Sequence, residues 1–203
     1  MSPVGVLALQ GGVAEHVRIL RSLGCTVREV RTPEELSHVS AVFLPGGEST
    51  TLISLMNRWS VTPALRDLCR RGLPVFGTCA GAILLAKEVL EKEHDISQES
   101  LALADVRAVR NYFGRQRSSF VQSLDIKGLS SPFKGIFIRA PLLNPLSEKV
   151  RVLSSVEDGP VLLRQDNLWL SSFHPELTAD GRVHRLFLEE HGLMEPATDR
   201  RDG

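Results

Sequence analysis

The chain has 203 residues, which suffices for one domain with a hydrophobic core and is too short for two domains of usual size. Its 24 lysines and arginines balance 24 acidic residues, and this zero formal net charge argues against binding to nucleic acids or anionic membranes. No apolar stretch reaches the length of a membrane span, and the first residues lack the basic region and cleavage site of a signal peptide. The three cysteines are odd in number and not spaced as metal ligands, so we predict reduced thiols, no metal site and a cytoplasmic location.

Strand-like and helix-like segments alternate through the first half of the chain. Apolar runs ending in glycine or proline turns predict strands over residues 4–9, 26–30, 41–44 and 74–76, and helical spacing predicts helices over 13–23, 49–59, 63–72 and 80–90. This order is typical of a parallel sheet with helices on both faces.

The second half has a different texture, because short strands that we expect to be partly antiparallel predominate from about residue 103 onward. They are predicted over residues 106–109, 120–124, 136–138, 150–154, 161–164 and 168–173, before a closing helix over 182–191. No repeat or linker is evident, so we predict one domain over residues 1–192. Residues 193–203 are predicted to form a flexible polar tail.

The segment "FGTCAGAILLA", residues 76–86, places Cys79 where a predicted strand turns into a predicted helix. Small neighbours suit this position because such a turn is tight and its backbone is strained. This is the layout of a nucleophile elbow, in which the next backbone N–H, here that of Ala80, points to an oxyanion. A buried structural cysteine is the alternative, and we adopt it for Cys25 and Cys69.

A nucleophilic cysteine needs a base, and the segment "SFHPEL" offers His174 two residues before Glu176. Residues i and i+2 of an extended segment project to the same side, so the carboxylate is expected beside the imidazole, where it would orient the ring. Cys79, His174 and Glu176 are therefore a candidate triad; on this segment alone, a surface turn with an accidental pattern is the alternative. The other histidines are expected to be mostly solvated, although one lies close to the "LQGG" turn; they are His16, His38, His94, His184 and His191.

Glycine turns also follow the first and third predicted strands, as "LQGG" and "LPGGEST". The carboxyl ends of parallel strands lie at one edge of the sheet, where ligands of such folds bind. Gly46 and Gly47 allow a backbone N–H to approach a ligand closely, so this turn is predicted to supply a second oxyanion donor opposite Ala80.

In combination, the elbow, the Pro-Gly-Gly turn and the His-Pro-Glu segment resemble the triad-type, class I glutamine amidotransferases. Within that superfamily, the chain is similar to the glutaminase subunits of pyridoxal 5′-phosphate synthase up to about residue 191. One departure is Gly12, where members often carry an acidic or other side chain. The stretches that carry the similarity are "GVLALQGGVAEH", "LPGGESTTL", "RNYFGRQRSSF", "FIRAP" and "SFHPELT".

The resemblance implies a three-layer, flavodoxin-like α/β fold with a mostly parallel central sheet and some antiparallel strands in the C-terminal half. It also implies hydrolysis of L-glutamine to glutamate and ammonia through a glutamyl thioester, with no cofactor. Cys79 matches the nucleophile, His174 the general base and acid, and Glu176 its orienting partner. The residues that match the glutamine site are Gly46, Gly47, Glu48, Ala80, Arg110, Ile138 and Arg139, with Gly47 and Ala80 as oxyanion donors.

A partner is implied as well, namely the subunit that builds the pyridoxal phosphate ring and consumes the ammonia. Gln10 and Gly11 match the region near both the active site and the docking surface. We hypothesise that docking resets the backbone around Gly46 and Gly47 so that its N–H groups face the oxyanion.

Two alternatives remain open at this point. The first is a glutaminase subunit that serves a nucleotide, histidine or amino-acid pathway, which would share the triad without needing the "FGRQ" or "FIRAP" stretches. The second is a non-catalytic member of the same fold with Cys79 as a redox-responsive thiol, which would tolerate the loss of His174 and Glu176.

Overall fold

The computed structural model describes residues 2–91, 98–112 and 119–196, and within them strands form one large sheet and two small ones. In chain order the strands are β1 (Val4–Leu7), β2 (Val27–Val30), β3 (Ala41–Leu44), β4 (Val75–Thr78), β5 (Ala86–Glu91), β6 (Ala104–Arg110), β7 (Ser119–Leu124), β8 (Phe133–Ile138), β9 (Leu142–Pro145), β10 (Arg151–Val156), β11 (Gly159–Gln165) and β12 (Leu168–Ser171).

The large sheet has seven strands in the order β10-β11-β12-β4-β3-β1-β2. The five strands from β12 to β2 are mutually parallel, with Val4 of β1 opposite both Val27 and Ala41. β11 runs antiparallel to β12, and β10 antiparallel to β11. The parallel part has the strand order of flavodoxin-like folds. The prediction of a mostly parallel sheet with antiparallel strands in the C-terminal half is confirmed.

Helices cover both faces of this sheet. They are α1 (Val13–Ser22), α2 (Pro33–Leu36), α3 (Ser49–Arg58), α4 (Val61–Arg70), α5 (Ala80–Leu85) and α6 (Arg182–Glu190). Apolar residues of α1 and α6 pack on one face, and those of α2 to α5 pack on the other, which makes the three layers. Among the described residues, no helix combines the length and the apolar composition needed to cross a membrane.

The buried side chains of β3 show why both faces need cover. Ala41 and Phe43 belong to the hydrophobic cluster under α1 and α6, while Val42 and Leu44 belong to the cluster under α3 to α5. All four are fully buried. Side chains alternate between the two faces of a strand, so a continuous apolar run is stable only where helices cover the sheet on both sides.

Two smaller sheets flank the central one. β5 pairs in parallel with β6, and β6 pairs antiparallel with β9. β7 and β8 form an antiparallel hairpin in which the rings of Phe120 and Phe137 stack 4.5 Å apart. The last residues of β6 and β8, Arg110 and Ile138, both reach the region of Cys79.

The prediction of a helix over residues 80–90 is wrong in its second half, because α5 ends at Leu85 and β5 follows at once. Ala86 is already extended, at φ −65° and ψ 145°, and Val89 pairs with Ala108 of β6. The partner strand lies far along the chain, so the local apolar run did not reveal it. Sequence analysis also missed α2 and β9.

The remaining predicted boundaries agree with the structure to within a few residues. Leu193 and Met194, at the start of the predicted tail, pack against the cluster under α1 and α6. Most of that tail, His94 and the "FGRQ" stretch lie outside the described residues.

Candidate active site

Cys79 lies at the junction of β4 and α5, at the carboxyl edge of the parallel strands. Its backbone has φ 48° and ψ −103°, a strained conformation that L side chains rarely adopt. The Cys79 N–H donates to the carbonyl of Ser171 at 2.8 Å, which ties the turn to β12. A Cβ on Gly77 would lie 2.5 Å from the backbone of Gly81, so the close packing of β4 on α5 requires glycine. The structure therefore has the strained elbow that the segment predicts.

Cys79 is buried and is the N-cap residue of α5, with Ala80 as the first residue of that helix. The first N–H groups of a helix have no partner within it, so the Ala80 N–H belongs to the groups available to a ligand. The Sγ of Cys79 lies 3.8 Å from the carbonyl oxygen of Ile138. This contact places the nucleophile beneath the end of β8.

His174 and Glu176 meet as expected, but through a different backbone geometry. After β12 the chain turns into a 3₁₀ helix, Pro175–Leu177, with His174 as its N-cap residue. The His174 N–H donates to the carbonyl of Ile136 at 2.8 Å, so β8 helps to hold the ring in place. The imidazole Nδ1 lies 2.7 Å from Glu176 Oε1, and both side chains are buried. The pair is therefore made by a tight turn rather than by an extended segment.

This pair has strongly shifted proton affinities. Burial lowers the pKa of His174, but hydrogen bonds to Cys79 and Glu176 and the charges of both groups outweigh burial and raise the pKa to about 10. Burial raises the pKa of Glu176, whereas the neighbouring His16 and the hydrogen bond and charge of His174 lower it to about 2. At neutral pH the two groups thus form an imidazolium–carboxylate pair.

The Pro-Gly-Gly turn after β3 closes one side of the site. A Cβ on Gly46 would lie 2.4 Å from Cε1 of His174 and 3.4 Å from Cβ of Cys79, so only glycine fits there. The turn is held from behind by the "LQGG" segment. The side-chain Oε1 of Gln10 accepts from the Glu48 N–H at 3.0 Å, and the residue after Gly11, Gly12, donates its N–H to the carbonyl of Gly46 at 3.0 Å.

A cleft of about 240 Å³ opens above the thiol. The structure thus brings together most of the residues predicted for the site. The predicted residues that do not line the cleft are Glu176, Gly46, Ala80, Gln10 and Gly11. Sequence analysis did not single out Ser49, Ile83 and Asn111. The residues that line the cleft are Gly47, Glu48, Ser49, Cys79, Ile83, Arg110, Asn111, Ile138, Arg139 and His174.

Arg110 is engaged in ion pairs at the rim of this cleft. Its Nη2 lies 2.9 Å from Glu48 Oε1, and its Nη1 lies 3.8 Å from Glu91 Oε2. Asn111, in the left-handed region at φ 51°, donates from its amide to Glu91 Oε1 at 3.3 Å. Arg139 also has positive φ, 47°, and is an exposed part of the lining. The cleft therefore offers both cationic and anionic groups to a zwitterionic ligand.

The expectation that most remaining histidines are solvated is wrong for His16 and His184, which are both fully buried. His16, on α1, lies behind Glu176, with its Nε2 3.6 Å from Oε2 of that carboxylate. Its Nδ1 lies 3.1 Å from Nε2 of His184, on α6. Spacing could have revealed His16, because it continues the apolar face of α1 made by Val13, Val17 and Leu20.

Comparison with known proteins agrees with this geometry. The chain is 48% identical over 194 residues to the pyridoxal 5′-phosphate synthase subunit PdxT of Ignicoccus hospitalis, covering 92% of this chain and 98% of that protein. It is 46% identical over 185 residues to the subunit of the same name of Thermosipho africanus, covering 91% and 96%.

Solved structures give the same picture. A crystal structure of a glutamine amidotransferase matches with a TM-score of 0.87 and 47% identity, covering 93% of this chain and 98% of that one. PurLQS from Thermotoga maritima shares the fold at a TM-score of 0.65 and 15% identity, covering 94% and 99%. The family model of the SNO glutamine amidotransferases matches residues 6–192, and the chain belongs to that family.

Proposed function

We propose that this chain hydrolyses L-glutamine to L-glutamate and ammonia and supplies the ammonia to the ring-forming subunit of pyridoxal 5′-phosphate synthase. One observation carries the proposal. A strained cysteine at a helix start and the imidazole of His174 line a small cleft, and the buried carboxylate of Glu176 holds that imidazole from behind, in a chain of the glutamine amidotransferase family.

The chemistry follows from these groups. The Cys79 thiolate attacks the side-chain amide carbon of glutamine, and the carbonyl π electrons move to the oxygen. His174 gives its proton to the amide nitrogen, the C–N bond breaks, and ammonia leaves a glutamyl thioester on the sulfur. His174 then accepts a proton from water, whose oxygen attacks the thioester, and glutamate and the thiolate are released. Glu176 orients the imidazole and stabilises its charged form throughout.

The backbone and the rim of the cleft have separate roles in this proposal. The N–H groups of Ala80 and Gly47 stabilise the oxyanion, because both residues lie beside the thiol where a bare N–H can approach. Arg110 and Arg139 bind the α-carboxylate of glutamine and Glu48 its α-ammonium, with Ile138 closing the wall. The ion pair of Arg110 with Glu48 keeps the two charges in place until the substrate arrives.

Gln10 and Gly11 connect partner docking to the active site. The Gln10 side chain holds the Glu48 N–H, and the backbone beside Gly11 holds the Gly46 carbonyl, so a partner that moves this segment also moves the Pro-Gly-Gly turn. We expect docking to turn the N–H groups of Gly46 and Gly47 toward the oxyanion. The test compares backbone angles at these residues with and without the partner, and unchanged angles would refute this step.

The two alternatives are less well supported. Relatives that are 43–48% identical are pyridoxal 5′-phosphate synthase subunits, whereas PurLQS, at 15% identity, shares only the fold, which favours this pathway over another glutaminase pathway. A redox-sensing role does not require His174 and Glu176, yet both are in place beside Cys79.

The decisive experiment measures glutamate release from glutamine by the purified chain, with and without the ring-forming subunit. We expect strong stimulation by that subunit and loss of activity in Cys79→Ala. Activity that ignores the partner would keep the glutaminase but reject the pathway, and absence of activity in both conditions would favour the sensing role.

Two further expectations belong to this proposal. A cytoplasmic location is supported by the free state of all three cysteines. A single domain over residues 1–192 is supported by the two hydrophobic clusters, which share the strands of one sheet.

A further inference from the structure

A chain of buried polar groups continues from the triad into the core, on the side of Glu176 that faces away from the cleft. Oxygen Oε2 of Glu176 is buried and has no hydrogen-bond partner within the described part of the chain. The imidazole of His16 faces this oxygen: its Nε2 lies 3.6 Å from Oε2 and 3.1 Å from the hydroxyl of Thr78. On its other side, His16 Nδ1 lies 3.1 Å from His184 Nε2.

The protons of these two imidazoles can be assigned from the contacts. If His16 carried its proton on Nδ1 and donated to His184 Nε2, then His184 would carry its own on Nδ1. That atom is buried without a partner among the described residues, and a buried unpaired N–H is costly. In addition, the bare Nε2 of His16 would face the bare Oε2 of Glu176.

The opposite arrangement removes both problems. His184 donates from Nε2–H to His16 Nδ1, and the unpaired atom of His184 is then a lone pair, which costs less than an N–H. His16 carries its proton on Nε2 and directs it at Thr78 Oγ1 and Glu176 Oε2. The Nε2–H then donates to Thr78 Oγ1 at 3.1 Å and faces Glu176 Oε2 at 3.6 Å, an electrostatic contact longer than a hydrogen bond.

We propose that His16 is a positioning residue of the triad, with its tautomer set by His184, and that its Nε2–H holds the Glu176 carboxylate so that Oε1 faces His174. The inference rests on the proposed function, since it assigns a role in the same reaction. His16 is not among the residues that line the cleft, so it acts through the groups that its ring contacts, of which Glu176 is the one in the triad.

The charges around His16 are consistent with a neutral donor. Burial lowers its pKa, the charge of Glu176 opposes this, the charge of His174 lowers it further and Glu15 on the same helix raises it. His184 faces it from α6, where burial, with a smaller effect of His16, lowers the pKa to about 3. The aromatic ring of Phe43 covers the two imidazoles at 5.6 Å and 5.3 Å, which keeps water away.

The test compares two substitutions at one position. Glutamine can place an amide N–H near the position of imidazole Nε2, whereas asparagine reaches only as far as Nδ1. In the presence of the ring-forming subunit, we expect His16→Asn to lower kcat/KM roughly tenfold, and His16→Gln to stay within about threefold of wild type, because only the second keeps a donor facing Oε2. His38→Asn is the matched control at an exposed histidine.

The pH profile separates positioning from a merely structural role. If Glu176 turns away from His174, the raised pKa of His174 falls, so the alkaline limb of the kcat/KM profile should move to lower pH in His16→Asn and stay in place in His16→Gln. If both kcat/KM and the position of the alkaline limb were unchanged in His16→Asn, the proposal would be overturned. Equal losses in both variants without a shift of the limb would overturn it too, because they would indicate a structural role alone.

The wild-type protein provides a measurement that no folding defect can obscure. In protein labelled with ¹⁵N histidine, the long-range ¹H–¹⁵N spectrum reports which ring nitrogen carries the proton. We expect His16 and His184 both as Nε2–H tautomers near neutral pH, with the His16 signals shifted in His184→Phe; an Nδ1–H tautomer of His16 would refute the proposal. If wild type itself released no glutamate, the proposed function would fail, whereas the tautomer would still decide the arrangement.

Discussion

The two sides of Glu176 hold histidines in opposite protonation states. On the cleft side, His174 contacts Cys79 and a carboxylate oxygen, and its pKa rises to about 10. On the core side, burial dominates for His16 and His184 and lowers the pKa of both. All three imidazoles are buried, so burial alone does not determine the charge of a histidine. His174 has a hydrogen bond of 2.7 Å to Glu176 and a second one to Cys79, whereas the Nε2 of His16 lies 3.6 Å from the same carboxylate.

Because their protonation states differ, the three histidines can have different roles in the reaction. A protonated imidazole beside a thiol can supply a proton to a leaving amine, whereas a neutral imidazole in the core can only fix the direction of a hydrogen bond. The elements that carry them differ accordingly. His174 lies in a turn at the edge of the sheet, and His16 and His184 lie on helices packed beneath Phe43.

The largest expected effect comes from Glu176→Gln, which removes the carboxylate charge that lies between His174 and His16. Glutamate release in the presence of the ring-forming subunit should fall by about 10³- to 10⁴-fold, as expected when the orienting carboxylate of a triad is replaced by an amide. The pKa of His174, followed by NMR titration, should fall from about 10 towards its ordinary 6.5. Glu34→Gln, at an exposed glutamate of α2, serves as the control, and activity within tenfold of wild type in Glu176→Gln would contradict the triad.

Gly46→Ala perturbs the cleft side alone. The added methyl group would lie 2.4 Å from His174 Cε1, so the imidazole must shift away from its contacts with Cys79 and Glu176. We expect a loss of about 100-fold in kcat, the size that a displacement of about 1 Å can produce. In the control, Gly181→Ala, the added methyl meets only the flexible side chain of Leu23, and activity should not change. Equal kcat values for the two variants would argue against a tightly packed histidine.

Acid unfolding tests the core side alone. The pKa values of His16 and His184 are lowered in the folded protein, so the unfolded chain takes up protons first as the pH falls below 6.5. Above pH 6.5 this difference in proton uptake costs no stability. As the pH falls below 6.5, each histidine lowers the free energy of unfolding by up to about 1.4 kcal/mol per pH unit. The decline continues until the pH reaches the pKa of the folded state, which is about 3 for His184.

The measurement is urea unfolding at several pH values between about 7 and 5, where the folded and unfolded proton affinities of these histidines differ. His184→Phe should make the decline shallower, while His38→Asn should leave it unchanged. Glu176 does not interfere, since the stability from its lowered pKa is present above 4.5 and is lost only as the pH falls towards about 2. His174 acts in the opposite direction, because its stabilisation is complete below 6.5 and is lost as the pH rises through about 10. A decline of the same slope in His184→Phe would show that this histidine is not buried in its neutral form.

The smallest effect is expected from Thr78→Val, which removes the hydroxyl that shares the Nε2–H of His16. The free energy of unfolding should fall by about 1 kcal/mol, the usual contribution of one hydrogen bond, and kcat should change by less than about threefold. Thr78→Ser keeps the hydroxyl and is the control. A large loss of activity in Thr78→Val, recovered in Thr78→Ser, would show that the hydroxyl, and not Glu176, is the main partner of His16.

Local sequence patterns were sufficient for the parallel half of the fold and for the elbow. β3 was predicted at its observed bounds, and a cysteine amid small residues between strand and helix led directly to Cys79. The physical reason is that a buried parallel strand needs apolar residues throughout and a strained turn needs small residues. Both therefore produce a recognisable pattern over a few neighbouring residues of the sequence. The His174–Glu176 pair was also evident, although a 3₁₀ turn rather than a strand brings the two together.

Tertiary structure alone decided the end of α5 and the surroundings of Glu176. The residues after Leu85 become a strand because β6 offers a partner, and such pairing energy is not encoded in the local apolar run. His16 and His184 are separated by 168 residues, and only the packing of α1 and α6 on the same face of the sheet brings them together. Sequence by itself thus determined which chemical groups are present and at which edge they gather; their proton states depend on burial and on contacts between distant segments, and these exist only in the folded chain.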